Sequence, residues 1–126
     1  MRIVEDSITI AKGEPIDLSQ RIIDRIISIV DRETIPDNIT TGLILLSDDL
    51  QYILYEGAEK EFAVEDCISP DRFAKSFINY ISSSIVKRYN IRGFCDTYSG
   101  TEDIDMSVLQ IPHYLGLVFV ILIKII

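Results

Sequence analysis

The last twelve residues, LGLVFVILIKII (115–126), form the most apolar stretch of this sequence and limit what the chain can fold into. A helix that crosses a bilayer needs about 20 apolar residues, so this stretch is too short, and Lys124 interrupts it. We predict a long final strand over 114–126 whose apolar side chains need cover. Because MRIVEDSITIAKGE at the start lacks a basic segment and an apolar run, we expect a cytoplasmic protein without membrane insertion.

A second apolar run, Gly42–Leu46, is typical of a strand that is covered on both faces. The residues Ser47-Asp48-Asp49 follow it, and short polar side chains favour turns because they bond to the nearby backbone. Leu50–Tyr55 then returns to an apolar pattern, so the sequence predicts a β-hairpin over these two segments. Residues Glu61–Glu65 extend this hairpin or add a short edge strand.

Two segments carry helical patterns. In 17–32 the apolar residues recur at helical spacing with charged residues opposite, which predicts an amphipathic helix ending before Pro36. The second helix begins at Ser69-Pro70-Asp71, because a capping hydroxyl, a proline and an acid suit a first turn. It is expected to end at Tyr89, with Asn90 as a left-handed stop.

The remaining segments are predicted as strands at Arg2–Ile10, Arg92–Ser99 and Met106–Ile111, besides the final strand. The resulting order is β-α-β-β-α-β-β-β, with two main helices and a mostly antiparallel sheet. The sequence thus predicts one α+β domain over 1–126, in which 1–15 is an N-terminal strand extension and 16–126 is the core.

The charge balance excludes some partners. Lys and Arg number 12 against 20 Asp and Glu, which gives a net charge of −8. Nucleic-acid and anionic-lipid surfaces are bound by clustered positive charge, so we expect neither as a partner.

No catalytic, cofactor or metal motif stands out, and we expect none of the three. The sequence contains neither of the two glycine patterns that bind phosphate groups, G-x-x-x-x-G-K-[ST] and G-x-G-x-x-G after a strand. Cys67 and Cys95 are too few for a zinc site, and pairing Cys95 with His113, the single histidine, is conceivable but unsupported by any spacing. The segment DTYSGTEDID (96–105) loosely resembles a calcium loop, yet it lacks the glycine and terminal glutamate of that motif. A loop between strands is the simpler interpretation.

From Asp17 to Lys124, the order of helix, hairpin, helix and three strands resembles the roadblock (dynein light chain) family. GLILLSDD (42–49) is similar to the start of that family's hairpin, and GLVFVILI (116–123) to its final strand. The chain departs from the family in having a strand-like N-terminus, Arg2–Ile10, and no helix after its last strand. The resemblance implies a roadblock/profilin-like sandwich, and a dimer with paired second helices that scaffolds a Ras-like small GTPase without an active site.

Dimerisation is also expected from the residues themselves, because a serine-rich helix face and the apolar final strand need cover. The sequence thus predicts a non-catalytic dimeric adaptor. The interface candidates are Phe73, Ser76, Phe77, Tyr80, Ser83 and Ser84 on the second helix, with Phe94 and Tyr98 on the next strand.

Two alternatives stay open. One is a small-molecule sensor of the PAS or GAF kind, with Tyr52, Tyr55 and Tyr98 supplying polar groups to an apolar pocket. The other is an acidic secretion-type chaperone that binds an unfolded segment of another protein.

Overall fold

The computed structural model describes residues 1–11, 15–65, 70 and 77–126. Within these ranges the chain is an α+β protein with three α-helices and a four-stranded sheet. In chain order the elements are β1 (Arg2–Ile10), α1 (Pro15–Val30), a 3-10 turn (Asn38–Thr40), β2 (Thr41–Ser47), α2 (Leu50–Glu65), α3 (Ile78–Tyr89), β3 (Phe94–Ser99) and β4 (Leu117–Ile125). In the part of the chain so described, the helices are too short or too polar to cross a bilayer.

All four strands run parallel, in the spatial order β1-β4-β2-β3. The first strand pairs with the last over its whole length, from Arg2 opposite Leu117 to Ile10 opposite Ile125. The most apolar segment, β4, therefore lies inside the sheet between β1 and β2. Such a position suits an unbroken apolar run, since parallel strands are usually covered on both faces.

The two faces of the sheet are covered by different parts of the chain. Phe119 and Ile121 of β4 belong to the same hydrophobic cluster as buried residues of α1, α2 and α3, on what we call the helical face, whereas Val120 and Leu122 lie on the opposite face. That opposite side is covered by the segment 100–116, through Ile104, Met106, Leu109, Ile111 and Leu115. The cover that the final strand was expected to need is thus supplied within the chain.

The predicted mostly antiparallel sheet is wrong, and the hairpin over 42–55 is the main error. Leu50, Ile53 and Leu54 are buried while Tyr52 and Tyr55 are exposed, which is the spacing of a helix face. These residues begin α2, and Glu61–Glu65 completes that helix instead of forming a strand. The aspartates before Leu50 serve a helix start, a position that favours the same short polar residues as turns do.

The predicted strand over Met106–Ile111 is also wrong, and with it the predicted order β-α-β-β-α-β-β-β and the roadblock/profilin-like sandwich. This segment is irregular, and Met106, Leu109 and Ile111 pack on the sheet although the segment pairs with none of its strands. Both strands after α3 run parallel to β2.

The first predicted helix is confirmed, and the second is confirmed only from Ile78, because Phe77, which was predicted inside it, has an extended backbone and stands before the first helical turn. The first spans Pro15–Val30, and the second ends at Tyr89 with Asn90 in the left-handed conformation, at φ 53°. Of its predicted start, Ser69 and Asp71 lie outside the described residues.

Tyr89 ties α3 to α1, because its hydroxyl donates a hydrogen bond to the carboxylate of Asp31. Desolvation, followed by this bond to Asp31, raises the pKa of Tyr89 above its ordinary value. The protonated phenol is therefore favoured by folding, so its stabilising effect is complete below pH ~10 and is lost as the pH rises through the raised pKa.

We expect Tyr89→Phe to lower the free energy of unfolding by about 1 kcal/mol at pH 8, since it removes the hydroxyl that donates to both Asp31 and the Ile27 carbonyl. The difference from the unsubstituted protein should shrink above pH ~10. Urea unfolding at pH 8 and above pH ~10 measures the difference in the free energy of unfolding. Tyr52→Phe on the exposed face of α2 is the matched control. A difference that stays constant with pH would contradict the assigned bond.

Candidate functional site

The carboxyl ends of the parallel strands lie along one edge of the sheet, and the chain leaves two neighbouring strands there in opposite directions. After β2 it enters α2 on the helical face, whereas after β3 it enters the segment 100–116 on the other face. In open parallel sheets, such a divergence opens a crevice in which ligands bind. The fold therefore indicates where a site is to be sought.

A cavity of about 410 Å³ lies at this edge. It is bounded by the end of β2 with the start of α2, by the first residues after β3, and by the end of β4. Its lining residues are Asp48, Asp49, Leu50, Thr101, Glu102, Ile123, Lys124, Ile125 and Ile126. The volume falls within the range of small-molecule sites, and we call this cavity the carboxyl-end pocket.

Backbone hydrogen bonds hold the polar wall of the pocket in place. Gly100 N–H donates to the Asp48 carbonyl (3.0 Å) and Thr101 N–H to the Ser47 carbonyl (3.3 Å), which prolongs the pairing of β2 with β3. Gly100 then turns the chain away with φ +79°, a conformation that favours glycine. Ile53 N–H donates to the Asp49 carbonyl (3.1 Å) in the first turn of α2.

The charges of the pocket are acidic in excess. Three carboxylates, on Asp48, Asp49 and Glu102, face one ammonium, on Lys124. The ion pairs recorded among the described residues lie elsewhere, between Arg2 and Glu33 and between Arg32 and Asp6. Across those same residues, no group of three or more His, Cys, Asp or Glu side chains could hold a metal ion.

Two hydroxyl groups at this end of the sheet are buried without a hydrogen-bond partner, Ser47 Oγ and Thr101 Oγ1. Thr101 lines the pocket, and Ser47, which is 1% exposed, lies in the strand beside Ile123 of the pocket wall. Nearly all buried polar groups in proteins are paired, so an unpaired hydroxyl at a cavity points to a missing partner. Thr101 as a residue is only partly buried, and it lines the cavity.

The expected interface residues do not form one surface. Phe73 and Ser76 lie outside the described residues. Phe77 and Ser83 are exposed, Tyr80 packs against the helical-face core, and Ser84 donates its hydroxyl to the Tyr80 carbonyl (2.7 Å). Phe94 and Tyr98 pack on the opposite face of the sheet, beneath the segment 100–116. The candidates are thus divided between the two faces.

The tyrosines expected in a sensor pocket are also dispersed. Tyr52 and Tyr55 point outward from α2, and Tyr98 lies on the opposite face of the sheet. The observed pocket is instead lined by acidic and aliphatic residues.

The remaining sequence candidates have local roles. Desolvation raises the pKa of the Cys95 thiol although the residue is exposed overall, and Asp96 adds to the rise against a hydrogen bond from Ser82. A raised pKa is the opposite of what a nucleophilic cysteine requires. In the calcium-like segment, Asp105 accepts hydrogen bonds from the Ser107 hydroxyl and amide, which lower the pKa of its carboxyl.

The acids of the pocket were visible in the sequence as two separate clusters, after 42–46 and after 94–99. Only the parallel pairing of β2 with β3 brings these clusters to one edge.

Comparison with known proteins adds no identity, since no family model, curated protein or solved structure matches the chain.

Proposed function

We propose that this protein is a small-ligand-binding domain whose ligand occupies the carboxyl-end pocket. The observation that carries the proposal is the coincidence of a 410 Å³ cavity with the edge at which β2 and β3 diverge. The unpaired Thr101 hydroxyl supports it further. We propose binding without turnover, because the pocket lining holds carboxylates and an ammonium but no nucleophile paired with a base. The cytoplasmic location that the sequence predicts is proposed as well.

A screen of small polar compounds by thermal unfolding tests this function, with amines, carboxylates and phosphate esters as separate classes. A compound present at a hundredfold excess over its Kd adds about 2.7 kcal/mol of stability, or roughly 10 °C in Tm. If no class raises the Tm, the proposal fails.

Thr101→Val locates the binding site in the same assay. We expect it to raise the stability of the ligand-free protein by about 1 kcal/mol, since it removes a buried hydroxyl without a partner. It should at the same time weaken any ligand found in the screen. Thr34→Val, at an exposed position, is the matched control and should change neither quantity. A loss of stability in Thr101→Val would show that the hydroxyl is already paired.

A second candidate is the dimeric adaptor. It is favoured by the edge strands β1 and β3, each of which pairs on one side only among the described residues, and by the exposed aromatic rings of Tyr52 and Tyr114. The roadblock resemblance implies a Ras-like GTPase as a partner, and this partner stays a prediction. The hairpin that contributed to the resemblance is replaced by β2 and α2 in the structure.

The helix-pairing form of this candidate predicts that Ser83→Arg converts a dimer to a monomer in light scattering. Ser83 is exposed on α3, in a stripe with Asn79 and Lys87, so the added side chain should leave the fold intact. Thr34→Arg is the control. A monomer before substitution, or a dimer that survives it, would contradict pairing through α3.

A further inference from the structure

We infer that the ligand of the carboxyl-end pocket is a small aliphatic amine, protonated at neutral pH; this inference rests on the proposed function. The pocket carries an excess of negative charge. Three carboxylates against one ammonium leave the pocket with an excess of two negative charges, in a chain whose net charge is −8. A cleft lined mainly by one sign of charge concentrates ligands of the opposite sign.

Among the described residues, no ion pair neutralises these carboxylates. The recorded ion pairs of the described residues involve none of Asp48, Asp49, Glu102 and Lys124. A bound cation would therefore pair with charges that otherwise face water.

The described residues suit an ammonium group better than a metal ion. Ca²⁺ takes six to eight converging oxygens, whereas the described residues offer no acidic cluster fit for a metal. An ammonium group has three N–H donors, so two carboxylates and a hydroxyl satisfy it. Thr101 Oγ1, which lacks a partner, is such an acceptor.

Anions are disfavoured although α2 begins at this pocket. The first turn of a helix attracts negative charge, but Asp48 and Asp49 already stand immediately before Leu50. A phosphate or carboxylate entering there would be repelled by these two like charges.

The rest of the ligand is expected to contact aliphatic side chains. Leu50, Ile123, Ile125 and Ile126 give the pocket an aliphatic wall beside its acids. This wall can bury a short alkyl chain, with a gain in affinity of about fourfold for each CH₂ group removed from water. The combination of acids and aliphatic wall selects an alkyl amine over a bare cation.

Isothermal titration of the full chain with n-pentylamine, putrescine, pentanoate and Mg²⁺ tests the inference. We expect both amines to bind more tightly than pentanoate and Mg²⁺, and to bind more weakly as salt is raised, because the attraction is screened. Asp49→Asn should weaken pentylamine binding about tenfold, the loss of one charged hydrogen bond. Lys124→Gln should strengthen it, and Glu5→Gln on the exposed part of β1 is the control.

The outcomes separate the two proposals. If pentanoate or Mg²⁺ binds and the amines do not, the amine inference is overturned while ligand binding in the pocket stands. If amines bind but Asp49→Asn and Glu5→Gln behave alike, the pocket is not the amine site and the inference also falls. If neither these probes nor any class in the thermal screen binds, both proposals fail.

Discussion

Gly93→Ala is expected to destabilise this protein by about 3 kcal/mol or more, which is a large part of the 5–15 kcal/mol typical of a domain. A Cβ atom at Gly93 would lie 2.5 Å from the Thr41 carbonyl oxygen and 2.7 Å from the Ile39 carbonyl oxygen. Both neighbours are backbone atoms, of the first residue of β2 and of the 3-10 turn before it, and Gly93 N–H already donates to the Thr41 carbonyl at 2.9 Å. Relief of the clash would require the starts of β2 and β3 to separate.

Two other glycines act as graded controls in a urea unfolding experiment. At Gly116 the nearest atom to an added Cβ is Thr40 Oγ1 at 3.5 Å, an ordinary contact, so Gly116→Ala should change stability by less than about 1 kcal/mol. At Gly42 the nearest atom is Leu115 Cδ1 at 2.9 Å, the end of a flexible side chain, and an intermediate loss is expected. Equal stability of all three variants would show that β2 and β3 do not approach as described.

Phe119→Ala is the second large effect, with an expected loss of about 3–5 kcal/mol. Phe119 is fully buried in the central strand β4, between Val4 of β1 and Leu43 of β2 in the register of the sheet. Its ring packs on the helical face, so its removal leaves a cavity that rigid neighbours fill only in part.

The opposite face provides the discriminating comparison. Leu122 is buried beneath the segment 100–116, and Leu122→Ala should cost about 2–5 kcal/mol as well. Ile3→Ala, at a position 40% exposed on the edge strand β1, should cost much less. If Leu122→Ala proved as mild as Ile3→Ala, the second face of β4 would be uncovered in the monomer. The case for a dimer that covers that face would then be strong.

The segment 100–116 links stability to the proposed function. Its apolar residues cover one face of the sheet, while Thr101 and Glu102 at its start line the carboxyl-end pocket. Connections of this length without secondary structure are uncommon in compact domains and often carry function. Ligand binding is therefore expected to protect the segment from proteolysis, which a time course with and without ligand would measure.

Local patterns were sufficient for some elements. The amphipathic spacing of 17–32 predicted α1, the apolar runs predicted β2 and β4, and Asn90 was predicted as a left-handed stop. In each case the relevant interactions lie within a few residues along the chain. Helical periodicity, apolar strand runs and the tolerance of asparagine for positive φ are properties of a short segment.

Direction and pairing of the strands were decided by tertiary structure. Asp48-Asp49 suits both a hairpin turn and the start of a helix, and only the burial of Leu50, Ile53 and Leu54 against α1 and the sheet favours the helix. Met106–Ile111 is rich in apolar residues that could serve a strand, but in the structure this irregular segment packs on one face of the sheet. Met106, Leu109 and Ile111 are partly buried there, whereas Val108 is 61% exposed.

The site depended on tertiary structure most of all. Asp48 and Thr101 are more than fifty residues apart in the sequence, and no local pattern relates them. They meet because β2 and β3 run parallel, which places both carboxyl ends at one edge of the sheet. Residue type alone established an acidic chain with strand and helix segments. The pocket exists because long-range backbone pairing sets which ends of those segments are neighbours.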